Sequence, residues 1–364
     1  MRLTAIESLH DAVSLQWEDG YSCLFTWFWL RDHATDAESF DPRSHQREIF
    51  TASISPTIQP REVSLDSNGD LIVEWPDTAM ASQYSAVTLR SLTTNNTQLI
   101  KPVSWDNQKI TQSSNSMHWD QLFDSQGTGN KKLLSQLASN GFCLLTNCPE
   151  NSETVARVAA SIGYVRETLF GGIWTFSEDK EMDDSAYTSG HLRPHTDGTY
   201  SEDAPGLQLL LCLQYEATGG ASTLVDGFHI SGQLSQAHQD VLKQVPVTGQ
   251  YIGDGFHLQA TRPVLRSNDK GTLQQVSFNN YDRAPFWLPE PEMSHFYQAL
   301  TAFDQLANDP VYQWRHQLQP GELLIFDNWR VLHGREAYSG KRTMTGCYIN
   351  REDFLSTLRQ LGDN

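Results

Sequence analysis

Blocks of alternating apolar and polar residues fill the first hundred positions. The stretch SLQWEDGYSCLFTWFWLRD (14–32) has strand composition on both sides of a turn at Asp19-Gly20. LDSNGDLIVEWPD (65–77) reads as a second hairpin, with Asn68-Gly69 as its turn signal. A polar segment, DNQKITQSSNSMHWD (106–120), reads as a linker. Two helical patterns follow. One lies in LFDSQGTGNKKLLSQLASNG and ends at Gly141. The other is SETVARVAASIG, ending at Gly163, with Ser152 as its N-cap. FCLLTNCP between them reads as one strand. From about residue 205 strands dominate: LQLLLCLQY (207–215) is a buried strand and Leu323 to Phe326 another, with Gly321 and Gly334 as flanking turns. EMSHFYQALTAFDQLAND (292–309) is the one helical pattern in this half. There is no internal repeat. The pattern predicts an α+β, mainly β protein: a small β-rich domain over 1–105, then a domain over 118–364 with helices packed on a jelly-roll, or double-stranded β-helix.

Composition narrows the class. The chain has 364 residues, 38% hydrophobic and 19% charged, and a formal net charge of -18. That charge argues against nucleic acid as a partner, because a phosphate backbone needs a basic face. No apolar run approaches the ~20 residues of a membrane span. The N-terminus MRLTAIESLHDAV lacks a basic-then-apolar signal pattern, so a cytoplasmic location is expected. The five cysteines are scattered, without metal-ligand spacing, and read as reduced thiols.

The chemistry concentrates in His195-Thr196-Asp197, followed far downstream by His333 and Arg342. Two imidazoles and one carboxylate on one face of a metal are the ligand set of non-haem Fe(II) oxygenases, which leaves coordination positions open. A 2-oxo acid can chelate two and dioxygen take the third. An arginine shortly after the second histidine suits the far carboxylate of 2-oxoglutarate, since its planar fork matches a carboxylate two bonds at a time. Arg335 is a competing candidate, but it lies very close to His333. Both histidines fall at strand ends, where ligands can converge in a barrel mouth.

The segments WLRDHATD, FGGIW, AYTSGHLRPHTD, PGLQLLLC, GGASTLVDGF, VSFNNYDR, FDNWRVLHGREAY and RTMTGCY together resemble the γ-butyrobetaine hydroxylase and trimethylaminoethylphosphonate hydroxylase branch of the taurine-dioxygenase-like Fe(II)/2-oxoglutarate oxygenases. The likeness spans nearly the whole chain. It implies that His195, Asp197 and His333 bind iron, that Arg342 and the Ser222 hydroxyl hold 2-oxoglutarate, and that Phe170, Trp174, Tyr187 and Tyr348 cage a trimethylammonium group. Such a cation cannot donate a hydrogen bond, so ring faces must hold it, each contact contributing about 0.5–2 kcal/mol. The resemblance also implies a homodimer.

Two departures from the family pattern matter. Relatives bind a structural zinc through positions that here are Ala34, Asp36, Ser39 and Ala79, so no structural zinc is expected. Relatives hold a substrate carboxylate with two asparagines. Here the second is Asn279, but the first position is Asp184. An ionised Asp184 repels a carboxylate and favours a substrate that brings its own proton. A P–OH could donate to Asp184 while Asn279, and Arg283, hold the other oxygens. Alternatively Asp184 points to solvent, or Asp183 fills the slot. The expected reaction is hydroxylation of the carbon two bonds from nitrogen, with 2-(trimethylammonio)ethylphosphonate as first choice and γ-butyrobetaine as alternative. A non-catalytic metal or 2-oxoglutarate sensor is a more distant possibility.

Overall fold

The computed structural model describes residues 1–94, 100–125, 127–176 and 188–361. It divides into two units, Met1–Gln98 and Leu99–Asn364. Among the described residues no helix is long and apolar enough to cross a membrane.

The first unit holds two antiparallel three-stranded sheets. Leu3–Ser8, Ala12–Trp17 and Ser22–Thr26 form one; Glu62–Leu65, Leu71–Glu74 and Ala81–Tyr84 form the other. Alternation buries Val13, Leu15 and Trp17 in the first and Leu71 and Val73 in the second, and these share one cluster with Trp75. Strand composition misleads at FTWFWL. Trp27–Asp32 is a helix, because the Thr26 hydroxyl accepts the Trp29 N–H at 3.2 Å and caps it.

Beside this core lies a buried polar network. The Asp36 carboxylate accepts the hydroxyls of Ser39 at 2.9 Å and Ser82 at 2.7 Å. Arg31 donates to Ser39 at 2.8 Å and pairs with Asp77 at 3.0 Å, while the Trp75 indole donates to Ser82 at 3.1 Å.

The second unit is layered. The major sheet runs in the order Val165–Arg166, Tyr338–Ile349, Leu207–Gly219, Leu323–Asp327, Phe142–Thr146, Ser116–His118, and Ile173–Phe176 also pairs with Tyr338–Ile349. The minor sheet runs Leu192–His195, Val331–Arg335, Ser222–Asp226, Gln313–His316. Period-two alternation along the strands buries both faces of the major sheet. Phe142, Leu144, Leu324, Phe326 and Met344 share a cluster with Leu224, Val331 and Trp314 of the minor sheet. Their neighbours Cys143, Leu145, Leu323, Ile325 and Cys347 meet the helices Thr128–Asn140, Ser152–Ala160 and Arg351–Gln360. Behind the minor sheet, Val225 and Leu332 pack on the helix Glu292–Asn308 through Phe296 and Phe303. The result is the expected jelly roll between helical layers.

Several local expectations change. The 106–120 segment is not a linker: Asn107–Gln112 is a helix capped by Asp106, and Ser116–His118 joins the major sheet parallel to Leu144–Thr146. Trp105 belongs to the core of this unit, its indole donating to the Asn140 carbonyl at 2.6 Å. The second helix is capped by Asn151 rather than Ser152, since the Asn151 side chain accepts the Thr154 N–H at 3.0 Å. Gly334 is no turn; it lies inside the strand Val331–Arg335. The turn glycines Gly141 and Gly321 are as expected, both with φ near +80°. All five cysteines are free, and burial pushes the Cys143, Cys148 and Cys347 thiols up to about 12.

Candidate metal centre and active site

His195 ends its strand as expected, but His333 does not: it is the central residue of the neighbouring strand Val331–Arg335. The two are direct cross-strand partners, with ring centroids 4.4 Å apart. Asp197 lies in the loop just past His195. His195 Nε2 is 3.3 Å from Asp197 Oδ1, and His333 Nε2 is 3.5 Å from Oδ2. All three donor atoms lie within 4.8 Å of one another, and among the described residues no other His, Cys, Asp or Glu group converges in this way.

The surroundings orient His195 and Asp197. His195 Nδ1 is 2.8 Å from the Arg193 carbonyl, which turns Nε2 toward Asp197. Asn328, at the end of the Leu323–Asp327 strand, grips the backbone of Asp197 from both sides: Oδ1 accepts its N–H at 2.8 Å and Nδ2 donates to its carbonyl at 3.0 Å. A second bond from Nδ2 to the Pro205 carbonyl, at 2.9 Å, fixes the amide. Thr196 is tied to Phe278 through Thr196 N–H to Phe278 O and Phe278 N–H to Thr196 Oγ1. Tyr348 donates its hydroxyl to Asp197 Oδ2 at 2.8 Å. His333 Nδ1 is buried with no partner among the described residues.

Charge follows this geometry. Burial opposes ionisation of Asp197, but the His333 charge and the hydrogen bonds from both imidazoles hold its carboxyl well below the usual range. Burial also opposes a charge on His195, yet Asp197 and the Arg193 carbonyl outweigh it and raise its pKa. For His333 burial wins and the pKa falls. The donor set is thus one anion and two imidazoles aimed at one point, which fits a divalent metal.

Arg342 lies on the long strand Tyr338–Ile349, opposite Tyr215, and is 5% exposed. No hydrogen-bond or ion-pair partner meets its guanidinium among the described residues. Burial lowers its pKa, and the Tyr338 ring lies 5.6 Å away. Gly220, with φ +78°, turns close to this strand: a Cβ there would sit 3.1 Å from Tyr338 Cβ. Two residues on, Ser222 is buried in the same cleft. A buried guanidinium with no partner among the described residues, in one cleft with a hydroxyl, fits the distal carboxylate of 2-oxoglutarate. Arg335 also lines the cleft, but its guanidinium already donates to the carbonyls of Thr188 and Gly190.

The remaining wall is aromatic. Phe170, Trp174 and Tyr348 line the cleft, with Trp174 and Tyr348 ring centroids 5.5 Å apart. Phe176 and Tyr200 join them, neither anticipated from the sequence. Asn279 lines the cleft and donates to Asp282 Oδ2 at 2.8 Å. Asp282 lines it too, and also takes the Thr199 hydroxyl at 3.2 Å. Arg283 is not among the lining residues; it donates to Asn280 at 2.8 Å. Tyr187, Asp183 and Asp184 lie outside the described residues. Asn328 and Asp282 fall within FDNWR and NNYDR, so the segments were visible, but nothing in one sequence assigned these side chains a role.

A jelly roll that gathers His, Asp and His at one mouth, with a buried arginine beside them, defines a 2-oxoglutarate-dependent iron oxygenase. Comparison with known proteins agrees. Residues 106–348 match the taurine catabolism dioxygenase TauD, TfdA family, and residues 5–90 match the gamma-butyrobetaine hydroxylase-like N-terminal domain. Trimethyllysine dioxygenase of Meyerozyma guilliermondii is 32% identical over 96% of this chain and 94% of its own. The mitochondrial human trimethyllysine dioxygenase is 35% identical over 93% and 83%. Gamma-butyrobetaine dioxygenase of Pseudomonas sp. AK-1 is 30% identical over 98% and 95%. Among solved structures, a putative alpha-ketoglutarate-dependent taurine dioxygenase from Burkholderia xenovorans shares the fold, with TM-score 0.53 and 13% identity over 69% of this chain and 92% of that one. The chain belongs to the TauD/TfdA dioxygenase family, in its gamma-butyrobetaine hydroxylase-like branch, and is an Fe(II)- and 2-oxoglutarate-dependent dioxygenase.

Proposed function

We propose that this enzyme hydroxylates a small trimethylammonium compound whose other end carries both an anionic group and a proton donor, with Nε-trimethyllysine as the favoured substrate. The observation that carries this reading is an aromatic wall that shares its cleft with a carboxylate and an amide, Asp282 and Asn279. Phe170, Trp174, Phe176, Tyr200 and Tyr348 offer ring faces to a cation, while Asn279 and Asp282 share the same cleft. A carboxylate there suits an α-ammonium, and the Asn279 amide can serve the neighbouring carboxylate. The trimethyllysine dioxygenases, at up to 35% identity, support the choice.

A second reading, 2-(trimethylammonio)ethylphosphonate, is favoured by Asp184, since a P–OH is also a proton donor. γ-Butyrobetaine brings no such donor and ranks third.

In this reading His195, Asp197 and His333 hold the metal, and Arg342 with Ser222 fixes 2-oxoglutarate by its far carboxylate. When bound, Fe(II) with 2-oxoglutarate would activate dioxygen, one oxygen atom entering the C–H bond as hydroxyl and the other leaving in succinate, with carbon dioxide released. The protein's task is positioning: rings exclude water and seat the cation, and the polar side sets which carbon faces the metal.

Succinate release and product mass would be measured with the three compounds. Trimethyllysine should turn over best. Asp282→Asn should cut its efficiency about ten- to a hundred-fold, the effect of losing a charge-assisted bond of ~1.5–3 kcal/mol, and should spare γ-butyrobetaine. A wild-type preference for γ-butyrobetaine, unaltered by Asp282→Asn, would refute the reading.

We also propose that the N-terminal unit stands without zinc. Asp36 and Ser39, at two of the positions where relatives place zinc ligands, are engaged in hydrogen bonds with Ser82 and Arg31. Elemental analysis showing close to one zinc per chain after the iron site is stripped would overturn this.

A further inference from the structure

Tyr348 belongs to two sites at once. Its ring forms part of the cleft wall, tilted 54° against Trp174. Its hydroxyl donates to Asp197 Oδ2 at 2.8 Å. The residue sits on a strand hydrogen-bonded on both sides, Gln208 opposite it on one and Arg166 on the other, so its backbone is fixed. A tyrosine has only two side-chain torsions, and its oxygen lies on the ring axis. The oxygen therefore cannot move unless the ring moves.

Asp197 keeps freedom only in its side chain. Asn328 holds its backbone on both polar groups, which leaves rotation of the carboxylate. A phenol O–H to a carboxylate is a charge-assisted bond, among the stronger ones available. It occupies Oδ2 and leaves Oδ1 facing His195 Nε2 at 3.3 Å. A phenylalanine would fill the wall equally well but could not do this.

We propose that Tyr348 is a positioning residue that couples the substrate pocket to the metal centre. Its hydroxyl sets the Asp197 carboxylate for metal binding, and its ring transmits the arrival of the trimethylammonium group to that carboxylate. The second half rests on the reading of the aromatic wall as the cation pocket. By linkage the effect is reciprocal: metal at Asp197 must also alter affinity for the substrate.

Cobalt(II), titrated into the metal-free protein and followed by its visible absorption, tests the first half without turnover. Tyr348→Phe should raise the Co(II) dissociation constant about ten- to a hundred-fold while the metal-free protein keeps its Tm. Tyr164→Phe, at an exposed tyrosine away from the cleft, should leave Co(II) affinity unchanged. Unchanged Co(II) affinity in Tyr348→Phe would overturn this half. For the second half, trimethyllysine should shift the Co(II) bands of the wild type. In Tyr348→Phe it should still bind, by equilibrium dialysis, yet shift them little. An equal shift in both proteins would overturn the coupling. Failure of wild type to bind trimethyllysine, its phosphonate counterpart or γ-butyrobetaine would overturn the pocket reading and the coupling together, and leave the Co(II) affinity result standing on its own.

Discussion

Asn328 touches no reactant in the proposed reaction, yet three hydrogen bonds from its amide fix the loop that carries Asp197. Asn328→Asp keeps the acceptor and replaces the donor with an oxygen that faces two carbonyls. Metal affinity should fall at least about tenfold, read by Mn(II) or Fe(II) titration, and stability by about 1–3 kcal/mol, read by denaturant melt. Proton competition should be visible at the same site. A protonated imidazole cannot ligate, and His195 has a raised pKa while His333 has a lowered one. Apparent metal affinity should therefore weaken as pH falls through the raised His195 pKa. An apparent dissociation constant that does not rise between about pH 8 and pH 5 would mean His195 is not a ligand. Arg342→Ala should raise the 2-oxoglutarate requirement far more than Lys341→Ala, whose side chain is exposed; equal effects would move the clamp elsewhere.

Among the elements, the long strand Tyr338–Ile349 does the most, carrying Arg342, Gly346 and Tyr348. Gly346 is where it admits the Trp174 ring: a Cβ there would lie 2.5 Å from the indole and 2.2 Å from the Leu209 carbonyl. Gly346→Ala should displace Trp174 and raise KM for the trimethylammonium substrate more than for 2-oxoglutarate, with a loss of stability as well. Equal changes in both KM values would argue against Trp174 as a substrate wall. Elsewhere, burial disfavours the charge on Glu322, but the His316 hydrogen bond and the Gln319 N–H outweigh it and lower its pKa. That stability is present above the unfolded pKa and lost as pH falls through the folded value, so Glu322→Gln should destabilise by about 1 kcal/mol near pH 7 and very little below pH 3. Most long elements were legible because their alternation is strong: LQLLLCLQY and LLIF bury on both faces. What escaped were short pieces defined by distant partners. Three residues, Ser116–His118, become a strand only because Leu144–Thr146 lies beside them. The grouping of His195, Asp197 and His333 was legible as spacing, whereas the hydroxyl of Tyr348 on Asp197 needed the register of two sheets.

Taken as a whole, the molecule uses two kinds of core. The catalytic unit has apolar clusters on both faces of its major sheet. The N-terminal unit adds a buried acid, Asp36, satisfied by two serine hydroxyls. Asp36→Ala strands both hydroxyls and should cost on the order of 3 kcal/mol, measured by thermal or urea melts. Ser39→Ala alone should cost less. An Asp36→Ala protein with an unchanged melt would show that the network is incidental.

The cross-strand pairing of His195 with His333 has a consequence for the chain as a polymer. Between these positions lies over a third of the protein, and an ion held by both rings ties the ends of that length together. It acts as a removable rivet: it favours the native chain over the open one by RT ln(1 + [M]/Kd), about 2.7 kcal/mol at a hundredfold excess over Kd. Chelation should therefore be felt well beyond the site. Limited proteolysis should nick the chelated protein within 196–332 sooner than the loaded one, and restoring the ion should restore resistance before any substrate is added.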